Sequence, residues 1–167
     1  MIIDQSKIDE AIATIIGYGG HNILNCIQCG ACSAVCPGVR AGFPLLCRTL
    51  IRHLQSGELE EIIEDASSWG CQACNRCTEV CPRDVRPQEV VFAFRRYQAN
   101  QLAFSTSSVT SQMNLFETGH AVYTDPRELR TRVGLPAQTP TSAFDDQAKQ
   151  EIQTLINNSP MGELGLF

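Results

Sequence analysis

Two runs of cysteines with one shared spacing constrain this 167-residue chain more than any other feature. Each run holds four cysteines separated by two, two and three residues, and a proline follows each fourth cysteine at once. The members are Cys26, Cys29, Cys32, Cys36 and Pro37 in the first run, and Cys71, Cys74, Cys77, Cys81 and Pro82 in the second. A proline cannot continue a helix, so each run is expected to end where the chain turns away.

This spacing is typical of loops that hold two [4Fe-4S] clusters. Three cysteines two residues apart can wrap one loop around a cubane, and the fourth, one helical turn later, points to the neighbouring cluster. We therefore predict two crossed ligand sets: Cys26, Cys29, Cys32 and Cys81 for one cluster, and Cys36, Cys71, Cys74 and Cys77 for the other. Zinc is the alternative, since paired C-x2-C motifs also bind zinc, but zinc does not need the third and fourth cysteines at this spacing.

The N-terminal sequence and the spacing of the cysteines favour a protein of the reducing cytoplasm. Asp4 brings a charge close to Met1, so no signal peptide is expected, and metal-ligand spacing is typical of reducing compartments. The uncharged stretch 11–39 contains glycines, a proline and cluster cysteines, so we expect no membrane span.

The net charge is also informative about partners. It is −5 with neutral cysteines, and two bound clusters would bring it to roughly −9. This disfavours nucleic acid as a partner and suits docking onto basic protein surfaces.

Apolar periodicity predicts helices and almost no alternating strand pattern between the two runs. The predicted helices cover residues 6–17 with Ser6 as the cap, a segment from near Pro44, residues 58–66, a segment from Pro87 with a stripe that reaches Leu102, residues 109–117, and residues 144–157. The predicted fold class is all-α: an α-helical two-cluster ferredoxin domain with N- and C-terminal helical or loop extensions. The predicted divisions are an N-terminal amphipathic helix at 1–20, the cluster domain at 21–104, and a loop-rich extension with a final helix at 105–167.

The ninth cysteine and the remaining polar residues do not suggest a catalytic site. Cys47 lies on an apolar helical stripe and is interpreted as a buried structural thiol. Arg76 is interpreted as exposed. The three histidines have no ligand spacing, and no nucleophile–base constellation, phosphate loop or flavin fingerprint is present, so no catalytic residue is predicted.

The chain resembles the iron–sulfur subunits of several oxidoreductases, and in particular the C-type subunits of heterodisulfide reductase. Many such subunits share the cysteine runs, whereas the segments outside the runs resemble the heterodisulfide reductase subunits in particular. The resemblance is carried by residues 25–37, 69–82, 85–90, 118–122 and 134–136.

The resemblance implies an electron-transfer subunit of CoB–CoM heterodisulfide reductase. In that family, electrons pass from a flavin-containing, A-type subunit to a CCG-domain, B-type subunit that reduces the disulfide, in methanogenesis with flavin-based electron bifurcation. A hydrogenase or formate dehydrogenase is a further candidate partner in the larger complex. This chain has no CCG repeat, so it is expected to carry electrons without touching the disulfide.

Two alternatives remain open. The chain could be the equivalent subunit of a heterodisulfide-reductase-like sulfur-oxidation complex or of a glycolate oxidase complex, or it could be a free two-cluster ferredoxin. Residues 1–20 and 105–167 argue against a free carrier, because the cluster domain alone would suffice for one. They are the expected interface material, with the apolar end at 164–167 as a candidate anchor.

Overall fold

The computed structural model describes residues 4–122, 127–137, 142 and 145–163. The chain divides into two compact units, Met1–Phe104 and Ser105–Phe167. The described residues contain helices and turns and no strand, so the all-α prediction is confirmed. Phe144 and the candidate anchor at 164–167 lie outside the described residues, and the predicted division at residue 20 stays a prediction.

The first unit contains six α-helices among its described residues, with 3-10 turns at Ile23–Asn25 and Ala66–Gly70. The helices are α1 (Gln5–Gly17), α2 (Ala31–Ala34), α3 (Pro37–Arg40), α4 (Arg48–Gln55), α5 (Arg76–Glu79) and α6 (Pro87–Asn100). The core lies where α1, α4 and α6 pack against one another. None of the helices in the described residues combines the length and apolar character needed to cross a bilayer.

Helix α1 forms where its apolar pattern predicts, but with a different cap. The Asp4 carboxylate accepts the Ser6 backbone N–H at 3.1 Å and the Ser6 hydroxyl at 2.8 Å. Asp4 is therefore the N-cap residue, and the predicted cap Ser6 is a donor inside the helix. The apolar face of α1 buries Ala11, Ile12 and Ile15.

Helix α4 begins at Arg48, four residues after the predicted start near Pro44. Cys47 just before it has φ +50° and ψ −118°, which no helical residue adopts. The face that includes Leu50, Ile51 and Leu54 is fully buried, as the apolar stripe predicts. The short helix α3, with Pro37 at its first position, was not predicted.

The helix predicted at 58–66 is wrong, because this stretch forms successive turns that lead into the 3-10 turn at Ala66–Gly70. The side chain of Gln98 explains the departure. Its Nε2 donates to the carbonyls of Ile63 at 2.6 Å and Asp65 at 2.9 Å, so these carbonyls are satisfied outside any helical ladder. Leu59 and Ile62 still reach the core from the turns.

Helix α6 is the central element of the first unit. Pro87 is its first residue, and Val90, Val91, Ala93 and Phe94 are fully buried. The predicted extension of its stripe to Leu102 is wrong, because the helix ends at Asn100 and Leu102 is exposed.

The second unit contains four α-helices in its described residues: α7 (Thr106–Thr118), α8 (Arg127–Arg132), α9 (Asp146–Asn157) and α10 (Pro160–Glu163). Helices α7 and α9 correspond to the predicted helices, whereas α8 and α10 were not predicted. Helices α7 and α9 pack together, and Gln153 Nε2 donates to the Phe116 carbonyl at 2.9 Å. Ile156 is buried as predicted, but Leu155 on the same predicted stripe is exposed.

Candidate metal centre

The two cysteine runs fold into loops of the same conformation. The third residue of each run is left-handed, with φ +57° at Gln28 and +53° at Ala73. The fifth is left-handed too, with φ +86° at Gly30 and +59° at Asn75, residue types that tolerate this region. Each loop then enters a four-residue helix, α2 or α5, and these two helices pack against each other.

Each loop borders a cavity that contains one cysteine from the other run. The two cavities have volumes of about 340 and 370 Å³ with their open mouths included. The first is lined by Cys26, Cys29, Cys32 and Cys81, and the second by Cys36, Cys71, Cys74 and Cys77. Every cysteine of the two runs therefore lies at a cavity wall, and the fourth cysteine of each run lies at the other loop's cavity.

The two cysteine sets are matched in burial. Cys29 and Cys74 are exposed, Cys32 and Cys77 are buried, and the other four are half-buried. No three His, Cys, Asp or Glu side chains converge on a single-ion site in the part of the chain that the structure describes. The thiols instead surround volumes, and an all-sulfur donor set of this kind fits a [4Fe-4S] cluster in each cavity.

In each set, burial and the neighbouring cysteines of the same set raise the pKa of the first cysteine of the loop. Burial raises the pKa of Cys26, and the charges of Cys32, Cys81 and Cys29 raise it further. Burial likewise raises the pKa of Cys71, with Cys77 and Cys36 adding to the effect. Crowded thiolates repel one another, so a bound cationic iron–sulfur core would relieve the repulsion, and binding it would release protons.

Cys47 lies between the two sets. It is 3% exposed, so the prediction of a buried thiol is confirmed. Its thiol lies close to Cys32 and Cys77, and this proximity raises the pKa of Cys47 and lowers the pKa of both partners. Cys47 therefore lies beside one cysteine of each set while it also lines the second cavity.

Two hydroxyls occupy equivalent positions beside the sets. Ser33 Oγ and Thr78 Oγ1 are buried, and neither has a partner of good hydrogen-bond geometry among the described residues. Each nevertheless lies close enough to the preceding cysteine to lower the pKa of Cys32 or Cys77. Donors left free next to a sulfur ligand are consistent with a cluster that would accept them.

Amide donors contact two sulfurs of the first set, which the sequence analysis missed. Gln28 Nε2 donates to Cys26 Sγ at 3.5 Å and also to Gln55 Oε1 at 3.1 Å. Gln55 is held in turn by donating to the Ile23 carbonyl at 3.1 Å. The Val85 backbone N–H donates to Cys81 Sγ at 3.4 Å.

Arg95 binds the residues that lead into the second loop, and the sequence did not predict this role. Its Nε donates to the Ser68 carbonyl at 2.6 Å and its Nη2 to the Cys71 carbonyl at 2.8 Å. The guanidinium lies 4.7 Å from the Phe92 ring centroid and 5.6 Å from that of Trp69. Arg76 inside the loop is exposed, as predicted. The contacts of Arg95 have no periodic signature, so only the folded chain reveals them.

Comparison with known proteins agrees with this geometry. Residues 25–86 match the 4Fe-4S dicluster domain family. A protein of Archaeoglobus profundus, named for its likeness to the C-type subunit of heterodisulfide reductase, is 39% identical over 98% of this chain and 87% of its own length. The second C-type iron–sulfur subunit of the CoB–CoM heterodisulfide reductase of Methanocaldococcus jannaschii is 32% identical over 97% of this chain and 88% of its own. The C-type subunit of the H2:CoB–CoM heterodisulfide, ferredoxin reductase of Methanothermobacter thermautotrophicus is 32% identical over 98% and 89%.

An all-α fold with two four-cysteine cavities and a matching dicluster domain defines a two-[4Fe-4S] electron-transfer protein. The prediction of two [4Fe-4S] clusters is thereby confirmed. Within that class, the chain belongs to the family of C-type heterodisulfide reductase subunits, as similarity along nearly its whole length establishes.

Proposed function

We propose that this chain relays electrons from a flavin-containing, A-type subunit to a CCG-domain, B-type subunit in a cytoplasmic CoB–CoM heterodisulfide reductase that performs flavin-based electron bifurcation in methanogenesis. A hydrogenase or formate dehydrogenase would supply electrons to the complex. The observation that carries the proposal is the pair of four-cysteine cavities on adjacent loops, which suits passage of electrons through the chain. The names of the methanogen relatives, which include CoB–CoM heterodisulfide and ferredoxin, support the reaction.

The residues of the chain have separate roles in this relay. Each bound cluster would accept and release one electron at a time. Cys26, Cys29, Cys32 and Cys81 would ligate one cluster, and Cys36, Cys71, Cys74 and Cys77 the other. Ile51 and Val85 at the first cavity, and Leu46 and Val91 at the second, keep the inner walls apolar and exclude water. No group of the chain is required to move a proton.

Crossed ligation has a sharp test in single Cys→Ser variants. We expect Cys81→Ser to alter the same EPR signal as Cys29→Ser, and Cys36→Ser to alter the other signal together with Cys74→Ser. Cys47→Ser is the matched control and should keep both signals and about eight iron atoms per chain. If Cys36→Ser and Cys29→Ser altered the same signal, the ligands would not be crossed.

The relay itself is tested by anaerobic affinity purification of the tagged chain from native extract. The expected result is co-purification of a flavoprotein and a CCG-domain protein, and reoxidation of the reduced clusters by CoM-S-S-CoB but not by oxidised glutathione. A chain that purifies alone would be a free ferredoxin. Recovery with glycolate oxidase or sulfur-oxidation proteins would support the corresponding alternative and refute the proposal.

A further inference from the structure

The two loops differ at one side chain next to a ligand sulfur. Gln28 and Ala73 occupy equivalent positions with nearly equal φ of +57° and +53°, so the backbones match and only the side chains differ. Gln28 Nε2 reaches Cys26 Sγ at 3.5 Å, and the methyl group of Ala73 can donate no such hydrogen bond. Gln28 Nε2 also donates to Gln55 Oε1, and Gln55 is held by donating to the Ile23 carbonyl, so the fold orients the Gln28 donor.

A second difference follows the fourth cysteine of each run. After Cys81 the chain turns, with Asp84 at φ +48°, and this turn brings the Val85 N–H to Cys81 Sγ at 3.4 Å. After Cys36 the chain enters α3 instead. There the N–H of Arg40, the residue equivalent to Val85, donates to the Cys36 backbone carbonyl at 3.3 Å. Its donor is therefore not available to the sulfur.

Both differences act on the same set, since Cys26 and Cys81 line the first cavity. Hydrogen bonds to cluster sulfurs stabilise the more negative, reduced state and so raise the reduction potential. The first cavity thus has two amide donors to sulfur that have no equivalent among the described contacts of the second.

Three other determinants of the reduction potential are similar at the two cavities. Cluster type is the same, and the exposure of the four cysteines is matched member by member. Arg48 and Arg83 line the first cavity, while Arg76 lines the second and Arg95 binds the Cys71 carbonyl. Two arginines therefore accompany each set.

The other polar neighbours differ, because Cys47, Gln72, Asn75 and Gln88 line the second cavity, whereas no side-chain amide of the described residues lines the first. Cys47 lies close to one cysteine of each set, Cys32 and Cys77. The equivalent hydroxyls of Ser33 and Thr78 each lie beside one cysteine of their own loop. None of the described hydrogen bonds joins Gln72, Asn75 or Gln88 to a cysteine sulfur. Gln28 and the Val85 N–H, by contrast, each donate to a sulfur of the first set.

We infer that Gln28, together with the Val85 amide, makes the Cys26–Cys29–Cys32–Cys81 cavity the higher-potential end of the pair. An electron that enters at the Cys71 loop is lost there and gained at the Cys26 loop, with no proton transferred. This rests on the proposed relay and gives it a direction: the Cys26 loop is the end that faces the disulfide-reducing partner.

The test is an EPR-monitored redox titration of the full-length, cluster-loaded chain. Cys29→Ser and Cys74→Ser assign each signal to its loop. The wild type should show the higher midpoint potential for the Cys29 signal. Gln28→Met, which keeps the length of the side chain without its N–H, should lower that potential and leave the Cys74 signal unmoved. Gln28→Glu, which replaces the donor with a negative acceptor, should lower it further.

Gln101→Ala is the control, because this exposed glutamine lines neither cysteine cavity and donates to Asn100 Oδ1 at 3.4 Å. It should move neither potential. Exchange into D2O gives an independent readout, since the deuteron coupling from the Gln28 amide should disappear from the Cys29 signal in Gln28→Met. Equal or reversed potentials in the wild type, or a Gln28→Met shift that is absent or shared by both signals, would overturn the inference. Two intact clusters with reversed potentials would leave the relay itself standing.

Discussion

At the scale of single residues, Gln98 is a buried polar side chain that links helix α6 to the turns before the second loop. It is 1% exposed, donates to the carbonyls of Ile63 and Asp65, and accepts from the Ser68 hydroxyl. Gln98→Leu would leave three polar groups without a partner. An unpaired buried polar group costs about 1–3 kcal/mol, and because the two carbonyls are only part-buried, we expect a total loss of about 2–4 kcal/mol in the free energy of unfolding.

The measurement is the urea midpoint of the cluster-loaded protein under anaerobic conditions. Gln101→Leu is the control, because Gln101 is exposed and should change stability by less than about 0.5 kcal/mol. A Gln98→Leu protein as stable as the control would show that the turns at 58–66 do not need this side chain.

At the scale of helices and turns, Gly57 fixes how α1 packs near the end of α4. It has φ +76°, and a Cβ there would lie 2.9 Å from Ile8 N and 3.0 Å from the Lys7 carbonyl carbon, both backbone atoms of α1. Gly42 has φ +96° with open space around it, so it isolates the conformational cost of about 1–2 kcal/mol. Gly57→Ala should therefore destabilise the protein by about 1–3 kcal/mol more than Gly42→Ala.

Thermal and urea unfolding of the two variants give the comparison. Equal losses would mean that α1 shifts without cost and is not held by this contact. Iron content should stay normal in both variants, because neither glycine lines a cysteine cavity.

Helices α1 and α6 could be predicted from sequence, because burial of one face imposes a period on their apolar residues. Helices α7 and α9 also form near the predicted positions, although α7 buries no residue and α9 only Ile156. The helix predicted at 58–66 does not form, and apolar periodicity could not have shown this. The cause lies more than thirty residues away in Gln98, whose side chain binds the carbonyls of Ile63 and Asp65. Helix α4 starts late because Cys47 adopts a positive φ that its residue type does not announce. The short helices α2, α3 and α5 lie inside or beside the cysteine loops and are too short to show a period.

At the scale of the whole molecule, the cysteine spacing carried the two-cluster prediction, and the crossed ligand sets stay a prediction for the Cys→Ser series. The sequence does not reveal what distinguishes the two clusters. The runs share their spacing, and the two donors that distinguish the sets, Gln28 to Cys26 and the Val85 N–H to Cys81, become evident only in the folded chain.

The division into two units makes a prediction about the separate roles of the two parts. All eight cysteines of the runs lie in Met1–Phe104, and so does the core formed by α1, α4 and α6. A chain that ends after Phe104 should therefore keep about eight iron atoms and both EPR signals. It should fail to co-purify with its partners, because residues 105–167 are not needed for the clusters and are the expected interface.

A chain that ends after Arg86 is the matched control. It keeps residues 25–86 of the dicluster domain but loses α6, whose Val90, Val91 and Phe94 are fully buried in the core. Since deleting buried side chains of this size costs several kcal/mol in total, this shorter chain should lose its iron and its helical circular dichroism signal. Iron loss from the chain that ends after Phe104 would show that the second unit supports the clusters, and normal co-purification of that chain would place the interface in the first unit.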